Sequence, residues 1–134
     1  MLRKLVLIVE DDVLNMKLFD DVLTAHGYRT LSARDSYQAL TNCREERPDI
    51  VVMDIHLPDM SGLVVTWAIR GGPDIRATPI IAVTDCAMRG DEEKVRVGGC
   101  DSYIAKPVLI DTLIAEVARF IGSNTADPRA AIAS

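Results

Sequence analysis

The stretch LVLIVEDD, residues 5–12, sets five apolar residues directly before three carboxylates. A strand with one wet face alternates apolar and polar residues. One that is apolar at every position is covered on both faces, as in a parallel sheet. The same run of strand length recurs as IVVM at 50–53, ahead of Asp54, and as IIAV at 80–83, ahead of Thr84 and Asp85. YRTLSA at 28–33 and SYIA at 102–105, the latter ahead of Lys106 and Pro107, read as two further strands.

Amphipathic stretches fill the gaps. Leu14, Leu18, Val22 and Ala25 recur at helical spacing and predict the apolar face of a first helix, stopped at Gly27. Asp11 or Asp12 could cap its start. Ser36 is read as the cap of a second helix over YQALTNCREER, ended by Pro48. Ser61 is read as the cap of a third over GLVVTWAIR, ended by Gly71, Gly72 and Pro73. A fourth is expected around 88–98, stopped by Gly98 and Gly99, and a fifth over 109–121. The closing GSNTADPRAAIAS has no apolar period and reads as a tail. Five strands alternating with five helices specify an α/β fold with one doubly wound parallel sheet, because each crossover must be a right-handed one carrying a helix.

Composition bounds the function. The 134 residues, 49% of them hydrophobic, suit one domain with a sizeable core. A net charge of −5 without blocks of like charge argues against nucleic acid or an anionic membrane as partner, and favours a protein or a cation. Three cysteines, Cys43, Cys86 and Cys100, form no C-x-x-C pair, which fits a reducing cytosol and neither a disulfide framework nor a zinc site. The N-terminal apolar run is too short for a signal peptide or a span, so a cytoplasmic location is expected.

In doubly wound sheets, function gathers outside the carboxyl ends of the strands. There stand Glu10, Asp11 and Asp12, then Asp54, Thr84, Asp85 and Lys106. If the first and third strands are neighbours, Asp11 and Asp54 share a small space, where unpaired carboxylates repel enough to call for a cation or a proton. Hard oxygen ligands without thiols favour Mg2+, which keeps waters and accepts phosphate oxygens.

LIVEDD, VVMDIHLPDMSG, AVT and YIAKP resemble, in order and spacing, the four signature segments of response-regulator receiver domains of the CheY-like superfamily, over about residues 4 to 121. NMKLF, RGDEEKVR and GGCDSYIAKP are further similar to single-domain receivers of the DivK type, which control cell division and polarity in alphaproteobacteria. The resemblance implies the flavodoxin-like strand order 2-1-3-4-5, a receiver over 1–122 and a flexible tail over 123–134. It implies that Asp54 accepts a phosphoryl group from a histidine kinase, with Asp11 as main Mg2+ ligand, Glu10 assisting through water and His56 offering its backbone carbonyl. Lys106 and Thr84 would neutralise and bind the phosphoryl oxygens. Thr84 and Tyr103 would then switch the surface of the fourth helix, fifth strand and fifth helix. That face would engage a kinase-like or diguanylate-cyclase-type protein. A cis Lys106–Pro107 bond is also implied.

So read, the protein is not an enzyme but a phosphoacceptor that assists its own phosphorylation and dephosphorylation, a monomer or weak dimer without an output domain. The rivals are a receiver cut from a hybrid histidine kinase, a degenerate binding module and a Mg2+-dependent phosphohydrolase. Against the hydrolase stand His56, two residues after the nucleophile where an acid is needed, and the lack of a cap insertion. Asp85 departs from the family pattern, which places a small residue there. Facing the site at about 6 Å, it would repel a phosphoryl group by at most about 3 kcal/mol. Turned outward, it would pair with Arg89 or cap the fourth helix, and this outward reading is favoured because the site is already acidic. Other side chains have plainer readings. Tyr103 alone reads as a half-buried strand aromatic, His56 as solvated, Cys100 as a small buried hydrophobe, and Trp67 as a packing residue or part of a contact patch.

Overall fold

The structure, a computed structural model, describes residues 3–84 and 98–122. Five strands, β1 (Leu5–Val9), β2 (Arg29–Ala33), β3 (Ile50–Asp54), β4 (Ile80–Thr84) and β5 (Ser102–Ala105), form one parallel sheet in the order β2-β1-β3-β4-β5. Every residue of β1, β3 and β4 is buried, as their unbroken apolar runs require. Burying each such Leu, Ile or Val side chain contributes about 1.5–3 kcal/mol.

Helices cover both faces. On one, α2 (Ser36–Glu46) and α3 (Gly62–Arg70) place Ala39, Cys43, Val65 and Ile69 against Leu7, Val9, Val51 and Met53. On the other, α1 (Val13–Ala25) and a C-terminal helix (Ile110–Ile121) place Phe19, Leu23, Leu113 and Val117 against Val6, Ile8, Val52 and Val83. The helix expected around 88–98 falls almost wholly outside the described residues, as do the tail over 123–134, Cys86, Arg89 and Asp85 with its alternative orientations.

Two local expectations need correction. The apolar face of α1 is not Leu14, Leu18, Val22 and Ala25: Leu14 is 79% and Leu18 40% exposed, while Phe19 and Leu23 are buried. Both sets follow helical spacing, and the sheet takes the one bearing the large aromatic ring. Nor does Ser36 cap α2; Asp35 does, accepting from Gln38 N, and Ser36 is a buried residue of the first turn. Among the described residues, the other boundaries agree with the sequence to within a residue. Ser61 caps α3, and Gly27 takes φ 90 after α1.

At the edge far from the strand carboxyl ends, Arg70 ties α3 to the entries of β4 and β5. It donates to Gly99 O at 3.0 Å, Arg76 O at 2.8 Å, Thr78 O at 2.7 Å and Asp101 Oδ2 at 2.7 Å. The same Asp101 oxygen accepts from Ile80 N at 2.8 Å. The thiols of Cys43 and Cys100 are buried, and burial pushes both up, that of Cys43 to about 11. Trp67 is 76% exposed and is a surface residue, not a packing one.

Candidate functional site

Because β1 and β3 are adjacent and in register, their carboxyl ends open onto the same space. Carboxylate oxygens of Glu10, Asp11 and Asp54 lie within 4.8 Å of one another, with Glu10 and Asp54 buried and Asp11 exposed. The acidic residues after β1 divide their tasks. Asp12 caps α1 by accepting from Leu14 N at 2.9 Å and Asn15 N at 3.0 Å. That leaves Asp11 to face the cluster. Glu10 is anchored by its N–H on Ala33 O at 3.0 Å and accepts from Asp12 N at 3.2 Å.

Asp54, 2% exposed, is gripped at both oxygens: Oδ1 accepts from His56 N at 2.9 Å and Oδ2 from Lys106 Nζ at 3.2 Å. Lys106 enters from the end of β5, where its N–H donates to Thr84 O at 2.8 Å, and it also faces Glu10 Oε2 at 3.6 Å. The Lys106–Pro107 bond is cis. Thr84 ends β4, is 2% exposed and pairs in register with Ala105. Tyr103 is half-buried and packs against the core on the α2 and α3 side, one strand from the cluster. The His56 side chain is exposed. The structure thus brings Glu10, Asp11, Asp54 and Lys106 together, and sets Thr84 at the adjoining strand end.

Glycine is a steric requirement at position 62. A Cβ there would lie 2.5 Å from Asp54 O and 2.9 Å from Ile55 Cα. Its N–H closes the loop after β3 by donating to Ile55 O at 2.7 Å. Sequence reading passed over a further pair at this loop, Asp59 and Ser36. The Asp59 carboxylate accepts from the Ser36 N–H at 3.1 and 3.2 Å and from the Ser36 hydroxyl. These bonds hold the Asp59 carboxyl below the usual carboxylate range. The one sequence signal was a serine where Asp35 already suffices as cap.

The electrostatics of the cluster are unbalanced. Burial, then the close Asp54 carboxylate, push Glu10 up to about 7 against the opposing Asp12 N–H and Lys106 charge. Glu10 Oε2 is buried without a hydrogen-bond partner. Among the described residues, one ammonium faces three carboxylates, which leaves room for a cation, and three hard oxygens suit Mg2+.

A model of the response regulator receiver domain matches residues 6–118. The chain belongs to the response-regulator receiver family. This receiver is 48% identical to the polar-differentiation response regulator DivK of Brucella anthropi over 119 residues, covering 89% of this chain and 97% of that one. It is 46% identical to the DivK of Brucella ovis over 121 residues, covering 90% and 98%. Among solved structures it resembles the receiver domain of a sensor histidine kinase from Pseudomonas aeruginosa, which has a magnesium ion coordinated in its active site cleft. That likeness has a TM-score of 0.83 and 35% identity, covering 90% of this chain and 99% of that one.

Proposed function

We propose that this receiver is a DivK-type phosphoacceptor whose Asp54 takes a phosphoryl group from the phosphohistidine of a histidine kinase and which signals by binding proteins. The observation that carries the reading is the grip on Asp54. A buried carboxylate held by the His56 N–H and Lys106, with Glu10 and Asp11 beside it, is oriented as a nucleophile rather than merely buried. In transfer the P–N bond of the phosphohistidine breaks, a P–O bond to Asp54 forms, and the imidazole leaves with its proton. Mg2+ would be held by Asp11, Asp54 and the His56 carbonyl, with Glu10 acting through water, and would supply charge neutralisation for the phosphoryl oxygens. Lys106 adds a fixed positive charge, and Thr84 a hydroxyl donor.

A protein donor suits the surroundings. Leu18 and Phe19 of α1 line a groove with Lys106, Pro107 and Val108, and Val13, Leu14, Leu109 and Ile110 are exposed on the same two segments of the chain. Exposed apolar side chains gathered beside a reactive carboxylate form a landing surface for a partner. The two Brucella relatives are polar-differentiation regulators matched over nearly their whole length, which supports a role in polarity or cell division. After phosphorylation, Thr84 and Tyr103 would reorganise the face around β5 and the C-terminal helix for a kinase-like or cyclase-type partner.

Incubation with Mg2+ and acetyl phosphate tests the reading. A mass gain of one phosphoryl group that vanishes in Asp54→Asn is expected. No gain from acetyl phosphate or from a phosphorylated kinase would leave a binding module that is never phosphorylated.

A further inference from the structure

The loop after β3 is closed on itself at its base. Gly62 N donates to Ile55 O at 2.7 Å, and His56 and Ser61 form an antiparallel bridge. A loop closed only at its base can swing as a unit about that base. Its tip carries Asp59, an exposed residue whose carboxylate nevertheless accepts from the Ser36 N–H, the Ser36 hydroxyl and Met60 N. Ser36 is 1% exposed and lies 23 residues upstream. Asp35 takes the Gln38 N–H of α2, while Asp59 reaches across from the loop to take a different first-turn donor, the Ser36 N–H.

The contact also closes a mechanical circuit. Ala39 and Cys43 of α2 share a core cluster with Leu7 and Val9 of β1, the strand that leads into Glu10 and Asp11. Through Ser36 and Asp59, the body that carries Asp11 is tied to the tip of the loop that carries His56. Asp11 and that loop, from Ile55 to Ser61, line one open cleft.

We infer that Asp59 and Ser36 are positioning residues for the cation site, holding the His56 carbonyl in a set relation to Asp11. The inference rests on the Mg2+-dependent reading above. Neither residue touches the reacting atoms. Each acts by narrowing the loop's excursions before the cation arrives, so that less ordering remains for binding to supply.

Mn2+ binding, followed by electron paramagnetic resonance without any phosphodonor, and amide hydrogen exchange of the metal-free protein test it together. Asp59→Ala is decisive, because it removes every bond of the tether, whereas Ser36→Ala removes the hydroxyl bond and leaves the residue 36 N–H on Asp59. Asp59→Ala is expected to weaken Mn2+ about 10-fold and to speed exchange at His56, Leu57, Met60 and Ser61 while β1 and β3 stay protected. Asp59→Asn, which drops the charge but keeps an acceptor oxygen, should stay near wild type, and the double variant of Ser36→Ala with Asp59→Ala should be no weaker than Asp59→Ala, since the tether is lost once. Unchanged Mn2+ affinity or loop exchange in Asp59→Ala, an Asp59→Asn as weak as Asp59→Ala, or additive losses in the double variant would each overturn the tether. Wild-type protein that binds no Mn2+ would overturn the metal reading, and this inference with it.

Discussion

Lys106 Nζ lies 3.2 Å from Asp54 Oδ2 although the two residues are 52 positions apart, and it stands between that carboxylate and Glu10. Among the described residues, Lys106 is the only cation paired with the three clustered acids.

Lys106→Met should therefore destabilise the metal-free protein. Removing one partner of a buried pair costs about 3–5 kcal/mol, but the lysine side chain is 20% exposed and the acids can take up a proton, so about 1–3 kcal/mol is expected at pH 7.5. Urea unfolding with and without Mg2+ measures it, and saturating Mg2+ should recover part of the loss. Equal stability of the variant and the wild type would show that the pair contributes nothing.

Asp11→Asn removes one repelling charge from an exposed position and one candidate ligand. Metal-free stability should rise by up to about 1 kcal/mol, and the Mg2+-induced rise in Tm should shrink or vanish. Calorimetry over a Mg2+ series reads both effects. An undiminished Mg2+ response would remove Asp11 from the ligand set.

Glu10 sets a pH dependence. Its carboxyl is raised to about 7 in the fold from an ordinary 4.5, so the folded state keeps a proton that the unfolded chain has released. The sign follows: this contribution is fully present below pH 4.5, declines as pH rises and is gone above about 7. The metal-free protein should lose at most about 3 kcal/mol over that window. Glu10→Gln should flatten the profile, and Mg2+ binding at pH 6 should release a proton that calorimetry in two buffers detects. A profile indifferent to Glu10→Gln would contradict the assignment.

Gly62→Ala places a methyl group against the backbone of Asp54 and Ile55. The strand end must shift, at a cost of about 1–3 kcal/mol, and acetyl phosphate labelling of Asp54 should slow because its carboxylate moves with the backbone. Urea unfolding and the labelling rate should change together. Normal stability and labelling would mean that the loop yields freely.

Much of this was legible in the sequence for a physical reason. Strands buried on both faces must be apolar throughout, so the polar residues that end them are marked by contrast. Glu10, Asp11, Asp54 and Thr84 stood out in this way, Lys106 stood out with Pro107 after the half-buried β5, and parallel pairing alone then puts them on one edge. What tertiary structure decided was competition between locally equivalent choices. Leu14 with Leu18 and Phe19 with Leu23 are both good helical stripes, and only the shape of the sheet surface selects the second. Asp11 and Asp12 are both good caps, and the geometry of the first turn of α1 gives that role to Asp12, leaving Asp11 for the cluster. The Asp59–Ser36 contact, and the Arg70 clamp on Asp101 across 31 residues, leave no local pattern at all, because a hydrogen bond between distant residues exists only once packing has brought its ends together.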